Sequence, residues 1–438
     1  MTLASRIESL SAHRGTLINV AWAFGGNLIY AGCQWGMLIV LAKAGDPSFV
    51  GTYALALAIA APVFNLSNLQ LRGLQAADAR GLYRFNEYLR LRILTNAGAL
   101  IVLALTGAVN PEYRTVYLVL MLVTAAKLIE SVSDVIFGLL QRNRNIRRIA
   151  ISQAIKGTAS VVSLGIGMKL AHSLELGVLL VALSWLAVLL FFDIPSKRLV
   201  IPGGLLDNMR VGADRKLRRE WSLAVFAFPI AMVLAINSVA VNVPRYYLAD
   251  SVGVMETGYY SSIAYIAVAI GVLTTAICTS ILPSLADAFL TDKKLFLRYV
   301  SYALLVVFAV TLVSGVVSYE YGGLILTLLY KPDYARYADV LVVTAISAGI
   351  ANMGAILGTA VTAANSYWPQ VATSLVFLGC AYAGCIILIP KYGVLGASLA
   401  YGAALVVQLL AVAANLAWLF VHPTRNSQAL HAEGAEHR

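Results

Sequence analysis

Charge is scarce in this chain. Asp, Glu, Lys and Arg make up 12% of its 438 residues, about half the share usual in a soluble domain. A soluble fold is thereby excluded, because the apolar runs between the charges have no water-soluble core large enough to hide in. Motifs that carry covalent chemistry are missing as well. There is no Walker A loop, no zinc-spaced His/Cys cluster, no GxSxG elbow and no GxGxxG opening a helix. The five histidines (His13, His172, His422, His431, His437) lie at ends and in loops. No catalytic residue, metal site or cofactor is expected, and the chain does not read as an enzyme. The four cysteines, Cys33, Cys278, Cys380 and Cys385, all fall inside apolar runs, where buried free thiols are expected.

What fills the sequence instead is apolar. Hydrophobic residues make up 60% of it and the mean hydropathy is +0.80, values of a multi-pass, all-α integral membrane protein. Twelve transmembrane helices are predicted, at 16–42, 49–71, 93–109, 115–140, 149–170, 174–194, 221–248, 259–287, 297–319, 339–363, 366–390 and 394–421. Turn and breaker residues separate them at Gly45–Asp46–Pro47, Asn110–Pro111, Lys331–Pro332–Asp333 and Pro390–Lys391. The first run follows Arg6 and Arg14 and lacks a small-residue cleavage site, so it is read as a span and not a leader.

Trp221–Ala288 organises the rest. It holds two long apolar runs, the second opening on Gly258–Tyr260 and closing on Ala286–Asp287–Ala288. An earlier hairpin repeats the layout with Gly51–Tyr53 and Ala77–Asp78–Ala79. The Gly-to-Asp separations are 27 and 29 residues. Parallel repeats of this sort are typical of transporters, which bind substrate between two halves.

The net charge of +11 suits nucleic acid in principle, yet the placement of the basic residues argues against such a partner. Of the 32 Lys and Arg, 23 fall in the N-terminus, the even-to-odd loops and the tail, against 7 in the alternate loops. That bias is the mark of cytoplasmic loops, and it places both termini in the cytoplasm. The longest loop, Pro195–Glu220, carries Lys197, Arg198, Arg210, Arg215, Lys216, Arg218 and Arg219 with a Pro202–Gly203–Gly204 turn. It divides the spans six and six, giving expected domains at 1–194 and 221–421, a basic linker at 195–220 and a tail at 422–438. The linker reads either as topology charge or as a grip on anionic lipid heads. The alternate loops are short, the longest about 320–338, too small for an outer enzymatic site such as a glycan polymerase or ligase needs.

Charges inside the spans are the candidate functional residues, because lipid does not tolerate them unpaired. Lys127, Glu130 and Asp134 fall within an arc of about 60° on the fourth span. Lys156 lies on the fifth at a similar depth to Asp134. Two readings stand: neutralised pairs, Lys127–Glu130 and Asp134–Lys156, or a cavity wall whose carboxylates Glu130 and Asp134 take up a proton or sodium ion. Arg245 has no acid within a turn and sits beside Pro244, which suits a phosphate partner or an interfacial, snorkelling role. Asn237 and Asn242, with Asn19, Asn27 and Gln34 in the first span, add hydrogen-bonding groups that serve substrate or helix–helix contact. Tyr246, Tyr247, Tyr259 and Tyr260 are expected mainly in an interfacial belt.

Four stretches, FVGTYALALAIAAPVFNLSNLQLRGL (49–74), KLIESVSDVIFGLLQRNRNIRRIAISQAIKG (127–157), FPIAMVLAINSVAVNVPRYYLADSVGVMETGYYSSIAYI (228–266) and GGLILTLLYKPDY (322–334), together resemble the polysaccharide transporter family, the O-antigen and exopolysaccharide flippases. That family shares a superfamily with the multidrug and toxin extrusion antiporters. Asn242–Tyr246 and Gly138–Gln141 are the most telling parts. The resemblance implies two six-helix bundles around a central cavity, no covalent chemistry, and transfer of an undecaprenyl-pyrophosphate-linked oligosaccharide from the cytoplasmic to the outer leaflet of the bacterial inner membrane. Its implied partners are the lipid-linked glycan, the bilayer and polysaccharide polymerase machinery, and any coupling would use H+ or Na+. On that basis Arg245, Lys127, Lys156, Asn237 and Asn242 are the expected substrate ligands, and Glu130 and Asp134 the ion-coupling groups. A cation-coupled antiporter for small amphipathic cations, on the same fold, is the alternative. A net acidic cavity would favour the antiporter and an unpaired Arg or Lys the flippase.

Overall fold

The computed structural model describes residues 3–78, 81–109, 116–200, 213–363 and 368–421. The Asn110–Pro111 turn, the Pro202–Gly203–Gly204 turn, Arg210 and the 422–438 tail lie outside them. The predicted spans appear as helices: α1 (Leu3–Ala44), α2 (Pro47–Asn68), α3 (Leu71–Ala77), α4 (Phe85–Val109), α5 (Tyr117–Arg142), α6 (Ile146–Ala171), α7 (Leu174–Val188), α8 (Ile194–Arg198), α9 (Ala213–Ser251), α10 (Val254–Thr291), α11 (Lys293–Leu329), α12 (Ala338–Ala363) and α13 (Trp368–Val421). A π-helical turn, Leu189–Asp193, joins α7 to α8, and a 3-10 turn, Pro332–Tyr337, precedes α12. Helix α13 contains two spans in one run, parted at Gly393, whose φ of 54° falls where only glycine sits without strain.

Among the described residues, nine helices are long and apolar enough to cross a membrane, as the need to satisfy every backbone amide within the bilayer demands. Several helices outrun their prediction: α1 starts at Leu3 and not at 16, α9 at Ala213 and not at 221, and α10 and α11 run past both predicted ends. Helix α4 starts at Phe85, not at 93, because Glu87 reaches back to accept from the Arg84 amide at 2.6 Å, a cap on the first turn. Helix α11 continues through Tyr319–Tyr321 to Leu329.

Contacts divide the chain into two compact units. The first comprises Met1–Gly45 and Ile59–Ala235, the second Asp46–Ala58 and Ile236–Arg438. Their borders therefore fall inside α2 and α9. In the first unit α1 packs on α6, α6 on α7, and α5 on α3, α4 and α7. Its core joins Leu71, Tyr88 and Leu89 to Val135, Ile136 and Leu140 of α5 and to Leu223 and Ala227 of α9. The start of α9 is clamped to that of α4: Arg90 meets Glu220 at 2.7 Å, and Arg219 meets Glu87 at 3.4 Å and lies over Tyr83. Arg219, expected to serve topology or to grip anionic lipid heads, thus also fixes two helices.

In the second unit α12 packs against α10, α11 and α13. Phe289, Phe296 and Phe420 meet edge-on at 5.4–6.0 Å between centroids, contacts worth about 0.5–1.5 kcal/mol each. The start of α2 crosses α10 where Gly51 and Gly258 face one another. A Cβ on Gly51 would stand 1.8 Å from the Val254 carbonyl oxygen, and one on Gly258 2.0 Å from that of Pro47. The two glycines that open the sequence repeat are therefore each other's contact.

Candidate functional site

Helix α5 presents its three charges at different heights to different neighbours. Lys127 Nζ donates to Glu130 Oε2 at 2.8 Å, and Glu130 Oε1 accepts from the Tyr30 hydroxyl of α1 at 2.6 Å. This pair is the one expected. The other expected pair is not formed: Asp134 does not hold Lys156. Asp134 faces α3 and α4, where Arg72 Nη1 and Arg92 Nη2 approach its two oxygens at 3.5 and 3.3 Å. Lys156 instead donates to Asp193 Oδ2 at 2.8 Å and Ser133 Oγ at 2.5 Å, with Ser152 donating to the other Asp193 oxygen. The reason is rotational. Ser133 is the α5 residue turned to Lys156, and its successor Asp134 points about 100° away.

Three charged residues that complete these clusters, Arg72, Arg92 and Asp193, were not singled out from the sequence. Asp193 ends the π-helical turn, a widened turn placed just ahead of Pro195, whose ring offers no N–H to the carbonyl four residues back. Both members of Lys156–Asp193 are buried, with side chains 2% and 1% exposed. Arg92, counted as a loop charge, is fully buried within α4 and also donates to Asn68 at the end of α2. The next residues, Leu69 and Gln70, both take left-handed φ near 48°, and α3 begins beyond them. Gly138 and Gln141 serve the same junction. Gly138 leaves room for Gln75 of α3, and Gln141 Oε1 accepts from Arg72 Nε at 3.3 Å.

The second unit holds Arg245. Its Nη1 donates to Asn242 Oδ1 at 2.8 Å and its Nε to Ser261 Oγ at 3.2 Å, while the guanidinium lies 5.7 Å above the Tyr260 ring. Asn242 is held in turn by its amide, which donates to the Ser238 carbonyl at 2.8 Å. These contacts fix the plane of the fork and leave Nη2 with no protein acceptor among the described residues. Arg245 borders a cavity of ≈ 390 Å³ lined by α9, α10, α12 and α13, with Tyr260, Ser347, Asn352 and Tyr401 among its walls and no carboxylate among the described residues that line it.

Tyr260 and Tyr259 are buried, not spread in a surface belt. Tyr259 instead packs on Tyr334 and Tyr337 at 4.7 and 4.8 Å. Asn237 is half-buried with its Oδ1 unpartnered among the described residues, and it does not line the Arg245 cavity. Lys127 and Lys156 are each paired with an acid and Arg245 is not, so the candidate cations are unequal. Of the cysteines, Cys385 is buried and the other three are partly exposed, all free thiols.

No family model matches the chain. It is 26% identical to the capsular polysaccharide biosynthesis protein CapF of Staphylococcus aureus over 386 residues, 87% of this chain and 94% of that one. Among solved structures it resembles the lipid II flippase MurJ in an inward closed conformation, with TM-score 0.67 and 11% identity over 94% of this chain and 87% of that one. It also resembles an outward-facing multidrug resistance MATE family transporter of the MOP superfamily, with TM-score 0.61 and 13% identity over 93% and 96%. A multi-pass helical membrane protein with the fold shared by MurJ and the MATE transporters therefore carries a sequence similar, over most of its length, to a capsular polysaccharide biosynthesis protein.

Proposed function

We propose that the chain is a flippase of the bacterial inner membrane. In this reading it carries an undecaprenyl-pyrophosphate-linked oligosaccharide from the cytoplasmic to the outer leaflet for assembly of a surface polysaccharide. The observation that carries the reading is the Arg245 cavity, a cationic site with no neutralising carboxylate among the described residues. A planar guanidinium held at Nε and Nη1 presents its remaining N–H groups in fixed directions, the geometry that suits phosphate oxygens. Similarity to CapF and the fold of MurJ support the same reading.

A multidrug antiporter needs a free acid for its cationic cargo. Glu130, Asp134 and Asp193 each sit against a cation, and the Arg245 cavity has no acid among the described residues. Nothing specific favours that alternative. Within the flippase reading, Glu130 and Asp134 are the groups that take up a proton or sodium ion, each exchanging its present cation for it.

The test is transport in proteoliposomes of the lipid-linked glycan that accumulates when the gene is deleted in its host. Arg245→Ala should abolish transfer, and Arg245→Lys should lose nearly as much, because an ammonium keeps the charge and loses the fork. Both variants should reach normal abundance. Full transfer by Arg245→Lys would leave Arg245 as an anchor and remove the cavity from the site.

A further inference from the structure

The sugars of the proposed cargo need hydrogen-bonding partners of their own. The first unit offers them. At 100° per residue, Asn19, Asn27, Tyr30 and Gln34 of α1 fall within an arc of about 80°. Exposed Val20, Phe24, Leu28 and Ile29 take the other side, as a lipid-facing stripe would. Beside the polar arc, α6 brings Gln153 Nε2 within 3.2 Å of Asn27 Oδ1, and α5 brings Glu130 to the Tyr30 hydroxyl.

The hydrogen-bonding account of this face is incomplete. Asn27 keeps both of its N–H groups, and Gln153 keeps its carbonyl oxygen and one N–H, with no acceptor or donor among the described residues. The Gln34 Nε2 is buried and likewise unpartnered. Asn27 is exposed and Gln153 half-buried, so their free groups are open to a ligand, while the buried Gln34 Nε2 is costly to leave unmatched. The charges nearby cancel, since Lys127 is paired to Glu130 at 2.8 Å. Among the described residues, this polar face offers an anionic head group no unpaired cation and an organic cation no unpaired acid; Arg147 of α6 lies outside it, over the Trp22 ring. A neutral polyol fits, because each hydroxyl both donates and accepts, as the primary amides do. We propose that this face of α1 and α6, centred on the Asn27–Gln153 pair, is a subsite for the neutral sugars of the lipid-linked glycan. The proposal rests on the flippase reading above.

The experiment compares two cargoes in proteoliposomes: the glycan-bearing lipid that accumulates on gene deletion, and the same lipid trimmed enzymatically to its first sugar. Asn27→Ala/Gln153→Ala should slow transfer of the full glycan by about tenfold or more, the scale of one or two lost hydrogen bonds. The trimmed lipid should move at the wild-type rate, which a merely structural defect would not allow. Gln153→Leu alone, giving a smaller loss confined to the full glycan, serves if the double variant fails to accumulate. Wild-type rates on the full glycan, or equal losses on both cargoes, would overturn the subsite and leave the flippase reading intact. A host that accumulates no such lipid, or a wild-type protein that moves neither cargo, would overturn both.

Discussion

Of the five carboxylates of the first unit that hold a cation among the described residues, Glu130, Asp134 and Asp193 lie within the spans or at their ends, and burial separates their worth. Lys156 and Asp193 are almost wholly out of solvent, so removing either leaves an uncompensated charge, at a cost of about 3–5 kcal/mol. Removing both for apolar groups of similar size should be nearly neutral. Lys156→Met and Asp193→Leu should therefore each lower the melting temperature of the detergent-purified protein strongly, and together far less than the sum. Asp134 belongs to a different network, shared between Arg72 and Arg92. Asp134→Asn combined with Lys156→Met should be close to additive, with only the weak coupling transmitted by Phe137, on which both Arg72 and Lys156 stack. Clear coupling between those two positions would return Lys156 to Asp134 and contradict the rotation of α5 described here.

Among the helices, α2 and α10 meet closely at Gly51 and Gly258. Their crossing leaves no space for a methyl group at Gly51 or Gly258, since each Cβ would collide with backbone that no rotamer can move. Gly51→Ala or Gly258→Ala should each cost about 1–3 kcal/mol or more, the range for overpacking. Gly98→Ala and Gly379→Ala, which meet open space, should leave thermal unfolding in detergent unchanged. Equal tolerance at all four positions would mean that the crossing is looser than described. The same two glycines show what the sequence makes legible. Their repeat was readable from the Gly-x-Tyr pattern, but a repeat states equivalence and not contact. Hydropathy located the twelve spans because lipid leaves apolar helices few alternatives. It misjudged the start of α4, since Arg90 and Arg92 look like loop residues until Glu220 and Asp134 are seen beside them. Arg245 stood out as a cation without an acid nearby. Its companions Tyr260, Asn352 and Tyr401 come from three other helices, and no local spacing announces such a set. Asp193 was hidden for a related reason, because its direction depends on a π-helical turn.

For the whole molecule, the distribution of Lys and Arg predicts which end of the helices faces the cytoplasm, and in the proposed flippase reading the direction of transport depends on it. Two exposed loop positions give the reading. Leu82 lies in the turn between α3 and α4, in the strongly basic set of loops, and Val252 lies between α9 and α10, in the other set. In a background with the four native cysteines replaced, Leu82→Cys should react with a membrane-impermeant maleimide only after the cells are opened. Val252→Cys should react in intact cells. Arg245 is six residues before the end of α9 at Ser251, about 9 Å along the axis at 1.5 Å per residue, so labelling of Val252 from outside also puts the Arg245 cavity toward the outer leaflet. There it would hold the head group late in transfer, after the lipid has left the cytoplasmic side. The reverse labelling pattern would place Arg245 near the cytoplasmic leaflet and make it a loading site instead. Its effect on the two half-reactions would then change places: Arg245→Ala would block uptake of the cargo and not its release.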